Sequence, residues 1–386
     1  MKIAVATTTR ADWGLLSPLA SELRRRGHEV QVLAANMHFN PELGMTVREI
    51  EADGFLPALR CDVQGSPAVI ASACMLQYSE ALARLRPACI ICLGDRFEML
   101  AIAQAAVMSG VPIVHIAGGA VSEGASDDMF RHAITKLSWL HFTECEDYRR
   151  RVVSMGEDPA RVLDTGAIGV HNILSISLMD KAVLEADIDF ALDRDTLLCT
   201  MHAATLEPVL SPVRQYACLL EGLSRAMDSK PSLRLLFTYP NNDVDPAPLI
   251  AAIHDFASRY PGRVRVIPSL GMRRYLSALH YVGGVIGNSS SGIVEVSSAG
   301  VPVLDIGIRQ QGRMRAPSVI HADCDAGQIA LGVERLFSPS LRALASRREN
   351  PYYNPDTLTV MADAIENTDF SQAYIKPFYQ PCATST

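Results

Sequence analysis

Residues 284–300, GVIGNSSSGIVEVSSAG, join a short apolar strand to an apolar segment of helical spacing through a run of small polar residues. Small residues at the carboxyl end of a buried strand let a ligand approach the backbone, and the amino end of the next helix favours an anion. A helix cap alone requires one asparagine or serine, whereas this turn contains four such residues, at 288–291. The turn therefore predicts an anion-binding site at a strand end of an α/β domain.

Three residues of this turn, Ser290, Ser291 and Gly292, are the expected anion ligands through their hydroxyl and backbone N–H groups. Glu295 lies about one helical turn further on and is placed to accept hydrogen bonds from ribose hydroxyls. No Gly-Lys-Ser/Thr follows, and the turn after the first strand, TTTRADWG (7–14), lacks G-x-G-x-x-G. We therefore expect neither a P-loop nor a nicotinamide or flavin cofactor.

The succession of strand and helix recurs along the whole chain. The apolar runs that predict strands lie at 2–7, 29–34, 89–94, 112–117, 140–144, 161–166, 196–201, 233–239, 264–268, 283–287, 301–306 and 318–322. Segments of helical period separate them, which favours parallel sheets covered by helices on both faces. A weakly patterned stretch at 167–195 divides the runs into two sets, so we expect two doubly wound domains with ligands outside the carboxyl ends of the strands.

Composition excludes several classes of protein. The chain has 386 residues, of which 48% are hydrophobic, and a net charge of −7. This length exceeds a single core, no apolar run approaches the roughly 20 residues of a membrane span, and the charge disfavours nucleic acid or an anionic membrane as partner. The first residues read as a strand and not as a signal peptide.

Nine cysteines are scattered without a disulfide framework, which indicates a reducing cytoplasm. The sequence CIIC (89–92) resembles a redox or zinc pair. Residues i and i+3 of a strand point to opposite faces, so we expect these thiols to pack in the core and bind no metal.

Basic side chains follow two predicted strands. Arg10 lies after the first strand, and Arg313 lies with two further arginines in DIGIRQQGRMRAPSVI (305–320). Arginine holds a phosphate through two hydrogen bonds, although an Arg10–Asp12 pair or a solvated face would explain the same residues. Together with the serine-containing turn, these loops favour a polyphosphate ligand.

Carboxylates gather at strand ends of the first half. Asp95 ends the strand in CLGDRFEM, and Glu123, Asp127 and Asp128 follow the next strand in HIAGGAVSEGASDDMFRHAITK. Compensation of the helix dipole and an i,i+4 pair with Arg131 would also account for the two neighbouring aspartates. Carboxylates sharing a partly dry site can act as one base and one acid, which suits proton abstraction beside an activated carbon.

Two polar strand ends belong to the second half. His202 ends the first strand there, in TMHAATLEP, and the loop YPNNDVD (239–245) ends the next one. A lone histidine is more often structural than catalytic. Its position at a strand end on the expected phosphate side makes His202 a candidate for the site.

Taken in order, several segments closely resemble the hydrolysing UDP-N-acetylglucosamine 2-epimerases, from about residue 1 to 355. They are TRADWG, LGDRFE, HIAGG, SDDMFRHAITKLS, TECEDYRRRVVSMGE, YPNND, GNSSSGIVE and IGIRQQGRMRAPSVI. That family supplies N-acetylmannosamine, or a 2,4-diacetamido analogue, to sialic and legionaminic acid synthesis. Non-hydrolysing epimerases share the fold, but their GTRPE and HVEAG segments are TTRAD and HIAGG here.

The resemblance implies a GT-B fold of two Rossmann-like domains facing across a cleft. The expected units are an N-terminal sugar and acid–base domain at 1–170, a C-terminal nucleotide domain at 171–365, and a segment at 366–386 that returns to the first domain. It also implies a homodimer or homotetramer with no cofactor or required metal.

In the implied reaction a carboxylate removes the C2 proton while the nucleoside diphosphate leaves C1, and water then adds to the resulting glycal to release a manno-configured sugar and UDP. The resemblance makes Asp95 and Asp127 acid/base candidates and Glu295 a ribose ligand. It assigns the diphosphate to Arg10, His202, Ser290, Ser291 and Arg313.

One departure from the family pattern concerns catalysis. Similar sequences have HIxGGE, and its glutamate is a proposed catalytic acid, but residue 120 is alanine here. HPET has likewise become HAAT, with Ala203 and Ala204 beside His202. Glu123 substitutes for the glutamate if its segment is helical, or the chain is a non-catalyst or inactivated, or a different substrate requires only Asp95 and Asp127.

Two other functions share these features. A GT-B glycosyltransferase has the same fold and nucleotide site but requires an acceptor. A catalytically impaired nucleotide-sugar-binding homologue would account for Ala120 and Ala204.

Overall fold

The computed structural model describes residues 1–41, 44–123, 126–204, 206–241, 245–373 and 375–380, and the backbone alone of Ser175. The chain divides into two compact units. The first comprises Met1–Ala120, Asp127–Asn172 and Asn354–Thr386, and the second comprises Val121–Ser126 and Ile173–Tyr353. Residues 242–244 of the predicted polar loop, and residues 381–386, lie outside the described residues.

The first unit alternates strands and helices. Its elements are β1 (Lys2–Thr7), α1 (Arg10–Arg25), β2 (Glu29–Ala35), α2 (Val47–Ala52), β3 (Leu59–Cys61), α3 (Pro67–Leu85), β4 (Cys89–Leu93), α4 (Phe97–Met108), β5 (Ile113–Ile116), α5 (Asp127–Leu137), β6 (Leu140–Thr143), α6 (Glu146–Ser154), β7 (Val162–Asp164) and α7 (Ile168–Ser175), which extends into the second unit. Within the described residues they form a parallel sheet of order β3-β2-β1-β4-β5-β6-β7. The order reverses between β1 and β4, where ligands of such sheets bind.

The second unit repeats this plan. Its elements are α8 (Lys181–Ile188), β8 (Thr196–Thr200), α9 (Pro212–Ser229), β9 (Arg234–Thr238), α10 (Ala247–Ser258), β10 (Val264–Ile267), α11 (Gly271–Leu279), β11 (Gly284–Gly287), α12 (Ser290–Val294), β12 (Val303–Ile306), β13 (Val319–Ala322), α13 (Ala326–Leu336) and α14 (Pro339–Ser346). The described strands form a parallel sheet of order β10-β9-β8-β11-β12-β13, which reverses between β8 and β11. Both units are Rossmann-like, as the sequence predicts.

Each strand predicted from the sequence is present within a few residues of its expected bounds. The short strand β3 was not predicted. It has three residues, including the exposed Arg60, and it pairs with β2 at the edge of the sheet. The prediction of strands depends on the continuous apolar runs found in strands buried on both faces, and β3 has no such run.

The two faces of β4 pack in different apolar cores of the first unit. Cys92 lies with Cys74 in the core that α3 and α4 cover, whereas Cys89 lies with Leu19 in the core that α1 covers. The thiols of Cys89 and Cys92 therefore point to opposite faces, as strand geometry predicts. Burial raises the pKa of both thiols, which keeps them protonated at neutral pH.

Helix α15 (Thr357–Asn367) packs in the first unit, where Met361 and Ile365 lie in the same core as Leu19 of α1. Arg26 adds ion pairs to Asp363 and Glu366 at 2.5 and 2.8 Å. The return to the first unit therefore begins at Asn354, ahead of the boundary at residue 366 expected from the sequence. Among the described helices, none has the length and apolarity that crossing a membrane requires.

Candidate active site

Asp95 lies two residues after the end of β4, at the reversal of strand order in the first unit. The buried Arg131 of α5 holds its carboxylate. Nε of Arg131 donates to Oδ2 of Asp95 at 2.9 Å, and Nη2 donates to the same oxygen. Arg131 is 1% exposed and also pairs with Asp128 at 3.0 Å. The Asp95 side chain is 24% exposed, so this carboxylate is held in place and accessible to a ligand.

His115, on the neighbouring strand β5, holds the backbone next to Asp95. It is fully buried, its Nε2 lies 2.9 Å from the carbonyl oxygen of Gly94, and its Nδ1 lies 3.2 Å from Oγ1 of Thr135 in α5. Burial lowers the pKa of His115 to about 3, so the ring is neutral. Its Nε2–H therefore donates to Gly94, and Nδ1 accepts from Thr135. The ring has a structural role and ties α5 to the end of β4.

Helix α5 begins at Asp127, so Asp127 and Asp128 both lie in its first turn. Asp128 contacts two side chains of the same helix, the cationic Arg131 and, at 3.4 Å, His132. Burial lowers the pKa of His132. Asp127 is partly exposed. The arrangement brings the first turn of α5 and Asp95 to one buried arginine, since Arg131 bridges Asp95 and Asp128.

Ala120 occupies the position at which the family pattern has a glutamate, and its side chain is 1% exposed. Its carbonyl oxygen accepts a hydrogen bond from Nη1 of Arg131 at 3.0 Å. The segment therefore contributes a backbone oxygen, and not a carboxylate, to the arginine that holds Asp95.

Glu123 does not lie in a helix. It lies in a turn that precedes α5, and its side chain is exposed. Its backbone N–H donates at 3.3 Å to the carbonyl oxygen of Gln311, which belongs to the second unit, as Glu123 does. Glu123 would replace the missing glutamate only if its segment were helical. Because Glu123 lies in a turn, that explanation is wrong.

Arg10 is the first residue of α1, and its side chain pairs with Glu49 at 2.9 Å while remaining 44% exposed. Asp12 does not pair with Arg10, as the alternative interpretation requires, but caps the amino end of α1. Oδ2 of Asp12 accepts from the backbone N–H groups of Thr8 and Thr9 at 2.9 and 3.0 Å, which forms a capping box. Arg10 therefore lies at the carboxyl end of β1 with an exposed ion pair that a ligand can displace.

In the second unit, the serine turn (residues 288–292) follows β11 at the reversal of strand order. Gly287 has φ +135°, and a Cβ on it would lie 1.8 Å from the carbonyl oxygen of Thr200, so only glycine fits there. The side chain of Asn288 then bonds both backbone groups of His202: its Oδ1 accepts from the N–H at 2.7 Å, and its Nδ2 donates to the carbonyl oxygen at 2.8 Å. Asn288 thus ties the ends of β8 and β11 together.

The ring of His202 has a defined tautomer. Its Nδ1 accepts the backbone N–H of Asn241 at 3.0 Å. Burial, and then the charge of Arg309, lower the pKa of His202 to about 3. The ring is therefore neutral with its hydrogen on Nε2, which makes His202 a hydrogen-bond donor and not a general acid.

Ser290 and Ser291 occupy the first turn of α12, and Ser290 is exposed. Oγ of Ser291 lies 2.5 Å from Oε2 of Glu295 and 2.8 Å from the hydroxyl of Tyr275. The Ser291 hydroxyl is the donor in both contacts, and because it has one hydrogen it donates to one of the two oxygens at a time. Burial raises the pKa of Glu295, and the serine hydrogen bond opposes that shift.

The loop after β12, residues 309–315, packs against the serine turn. Nε2 of Gln310 and Nη1 of Arg309 donate to the carbonyl oxygen of Asn288 at 2.9 and 3.3 Å. Arg315 pairs at 2.7 Å with Asp305, which is 1% exposed. Arg313 is partly buried within this loop. Within the second unit the structure brings together the serine turn, the end of β8 and the arginine loop.

Residues 21–366 match the family described as UDP-N-acetylglucosamine 2-epimerase. The chain belongs to that family. It is 31% identical over 347 residues to a GDP/UDP-N,N'-diacetylbacillosamine 2-epimerase (hydrolyzing) of Campylobacter jejuni, with 88% of each chain covered. It is 30% identical to the polysialic acid biosynthesis protein P7 of Escherichia coli, with 100% of this chain and 99% of that one covered.

The fold is also similar to solved members of the family. The UDP-N-acetylglucosamine 2-epimerase of Neisseria meningitidis, crystallised with UDP-N-acetylglucosamine, superposes with a TM-score of 0.81 at 16% identity, covering 95% of this chain and 100% of that one. At this identity the likeness establishes the GT-B fold alone. The chain is thus an epimerase-family protein with the family's two-unit architecture.

Sequence reasoning missed three contributors to the site. Helical spacing predicts a pair between Arg131 and Asp127, whereas in the structure Arg131 holds Asp95. No local sequence pattern indicates this long-range partner. Asn288 was considered a cap or anion ligand, and its amide instead fixes His202. Tyr275, which supports Ser291, lies in α11 and gave no signal because an aromatic residue in an amphipathic helix usually packs in a core.

Proposed function

We propose that the chain hydrolyses a UDP-linked 2-acetamido sugar with inversion at C2, releasing UDP and the free manno-configured sugar. The observation that supports this most strongly is the pairing of Asp95 with the buried Arg131 at the strand-order reversal of the first unit. It places an accessible carboxylate where α/β sheets bind ligands. Family membership supports the epimerase chemistry.

The proposed reaction has two steps. A carboxylate of the first unit takes the proton from C2, the C–H electrons form a C1–C2 double bond, and the C1–O bond breaks to release UDP with its electron pair. Water then adds its oxygen to C1, while a proton is delivered to the opposite face of C2. We assign Asp95 and Asp127 as the acid/base pair, with Arg131 as the positioning residue that holds Asp95.

Stabilisation of the departing diphosphate is assigned to donors at the strand ends. We propose that Nε2–H of His202, the hydroxyls of Ser290 and Ser291, the N–H of Gly292, and the guanidinium groups of Arg10 and Arg313 receive its negative charge. Preorganised donors of this kind lower the barrier because charge develops on the leaving group. Glu295 is assigned to the ribose, since its carboxylate is held by Ser291.

The names of the relatives support the proposed class of substrate. The curated relative of Legionella pneumophila is a UDP-N,N'-diacetylbacillosamine 2-epimerase (hydrolyzing), 31% identical over 349 residues. We therefore propose UDP-2,4-diacetamido-6-deoxy sugars beside UDP-N-acetylglucosamine as substrates. The described cysteines are all free thiols, which supports a reducing, cytoplasmic setting.

The test is an NMR assay of the purified chain in heavy water with both nucleotide sugars. We expect UDP and a manno-configured sugar with one deuterium at C2. Asp95→Asn and Asp127→Asn should each lower kcat about 10²–10⁴-fold. Asp255→Asn, at an aspartate 79% exposed, is the matched control and should have wild-type activity. A product that keeps its C2 proton would refute the elimination, and binding without turnover would indicate a non-catalytic homologue.

A further inference from the structure

A buried ion cluster lies at the carboxyl end of α5, on a part of the first unit that the proposed reaction does not use. Its centre is Glu157, whose side chain is fully buried. Three basic side chains surround it: Lys136 Nζ at 2.6 Å from Oε1, and Lys376 Nζ and His141 Nε2 at 2.8 and 3.1 Å from Oε2. A buried carboxylate without such partners would be strongly destabilising, so Glu157 depends on them.

The C-terminal strap, residues 375–380, closes this cluster. Besides Glu157, Lys376 Nζ donates to the backbone carbonyl oxygen of Lys136 at 2.8 Å, in the last turn of α5. The backbone N–H of Tyr379 donates to the carbonyl oxygen of Gly156 at 2.9 Å, and Phe378 covers that glycine. The strap is therefore fixed to the loop before Glu157 and to the end of α5 at once.

The ammonium group of Lys376 is placed to compensate the partial negative charge at the carboxyl end of α5. Carbonyl oxygens at the carboxyl end of a helix lack intrahelical donors and carry partial negative charge, which an ammonium group compensates. Burial opposes ionisation of Glu157, but hydrogen bonds from His141, Lys136 and Lys376 outweigh it and lower its pKa. Burial lowers the pKa of Lys376, and Glu157 opposes that shift. Lys136 and Arg161 are the other charged groups facing Lys376.

Helix α5 carries the candidate acid Asp127 and the arginine that holds the other candidate, Asp95. Helix α5 has 11 residues and is about 16 Å long. Asp127 lies at its first turn, Arg131 in its middle holds Asp95, and its last turn receives Lys376. Because a helix moves as a rigid rod, a shift at its last turn displaces both Asp127 in the first turn and Arg131 in the middle.

We propose that Lys376 is a positioning residue that, through Glu157 and the last carbonyl oxygens of α5, fixes the helix presenting Asp127 and Arg131 to the substrate. The proposal rests on the proposed function for its catalytic consequence. Small misplacements of catalytic groups cost rate more than binding, because the reacting atoms require near-attack geometry.

The test compares Lys376→Met, which keeps the stem without the charge, with Lys376→Arg, which keeps the charge. Lys376→Met should lower kcat about tenfold with KM changed less than about twofold, and Lys376→Arg should restore kcat to within about threefold. Glu157→Gln should match Lys376→Met. Lys181→Met is the control, because Lys181 pairs with Glu185 on the surface of the second unit.

Hydrogen exchange of residues 127–137 is the second measurement, and it does not depend on turnover. We expect faster exchange in these residues in Lys376→Met and wild-type exchange in Lys181→Met. Unchanged exchange, or wild-type kcat in Lys376→Met, would overturn the proposal. A wild-type chain without epimerase activity would refute the proposed function alone, and the exchange result would still decide whether Lys376 fixes α5.

Discussion

The tautomer of His202 gives a prediction about which substitutions preserve binding. Nδ1 accepts the backbone N–H of Asn241, so the donor available to a ligand is Nε2–H. Glutamine carries its amide nitrogen near the position of Nε2, whereas asparagine carries its amide near the position of Nδ1. His202→Gln should therefore keep the donor, and His202→Asn and His202→Ala should lose it.

The size of the effect follows from the kind of hydrogen bond. A hydrogen bond to a charged group contributes about 1.5–3 kcal/mol, which corresponds to about 10- to 150-fold in an equilibrium constant. We expect the Kd for UDP to rise by that factor in His202→Ala and His202→Asn, and by less than about fivefold in His202→Gln. Isothermal titration calorimetry at one ionic strength measures all three, with kcat/KM measured in parallel.

The same ring predicts a pH profile. Because the pKa of His202 is lowered to about 3, it stays neutral through the range in which an ordinary histidine titrates. The kcat/KM profile should therefore show no inflection near 6.5 from this residue. The reasoning is refuted if His202→Asn binds UDP like the wild type while His202→Gln does not, or if His202→Gln abolishes such an inflection.

Three further predictions concern stability and the missing glutamate. Gly287→Ala should cost about 3 kcal/mol or more of unfolding free energy, whereas Gly110→Ala, whose Cβ meets nothing within 4 Å, should cost about 1 kcal/mol from its backbone alone; urea unfolding of both checks this. Burial lowers the pKa of His38 to about 4 and of His115 to about 3, so the unfolded chain takes up protons below about 6.5 that the folded chain does not. The unfolding free energy should therefore have its full value above about pH 6.5 and be about 2 kcal/mol lower per histidine at pH 5. Substitution of either histidine by glutamine should reduce this dependence of the unfolding free energy on pH. Ala120→Glu buries a carboxylate at a site 1% exposed, so it should lower the melting temperature without raising kcat; a tenfold rise would mean that the two candidate aspartates do not suffice.

Much of the fold could be predicted from the sequence because buried parallel strands leave continuous apolar runs and their polar ends mark the ligand side of the sheet. That rule located Asp95, His202 and the serine turn at strand ends, where the structure has them. The same rule did not find β3, because a three-residue edge strand with an exposed Arg60 has no such run.

Side-chain partners were less predictable than positions. Helical spacing suggested a partner for Arg131 within α5, but its guanidinium reaches Asp95 on another element, 36 residues away in sequence. The segment before α5 also has a long-range partner, since Glu123 bonds to Gln311 instead of beginning a helix. Such contacts depend on tertiary packing, which local patterns do not encode.

The central claim is that the bond between C1 of the sugar and the diphosphate oxygen breaks, so water never attacks phosphorus. Turnover in water enriched in oxygen-18, followed by phosphorus NMR of the released UDP, tests this directly. The account predicts UDP without oxygen-18 in its β-phosphate. Oxygen-18 in that phosphate would contradict it.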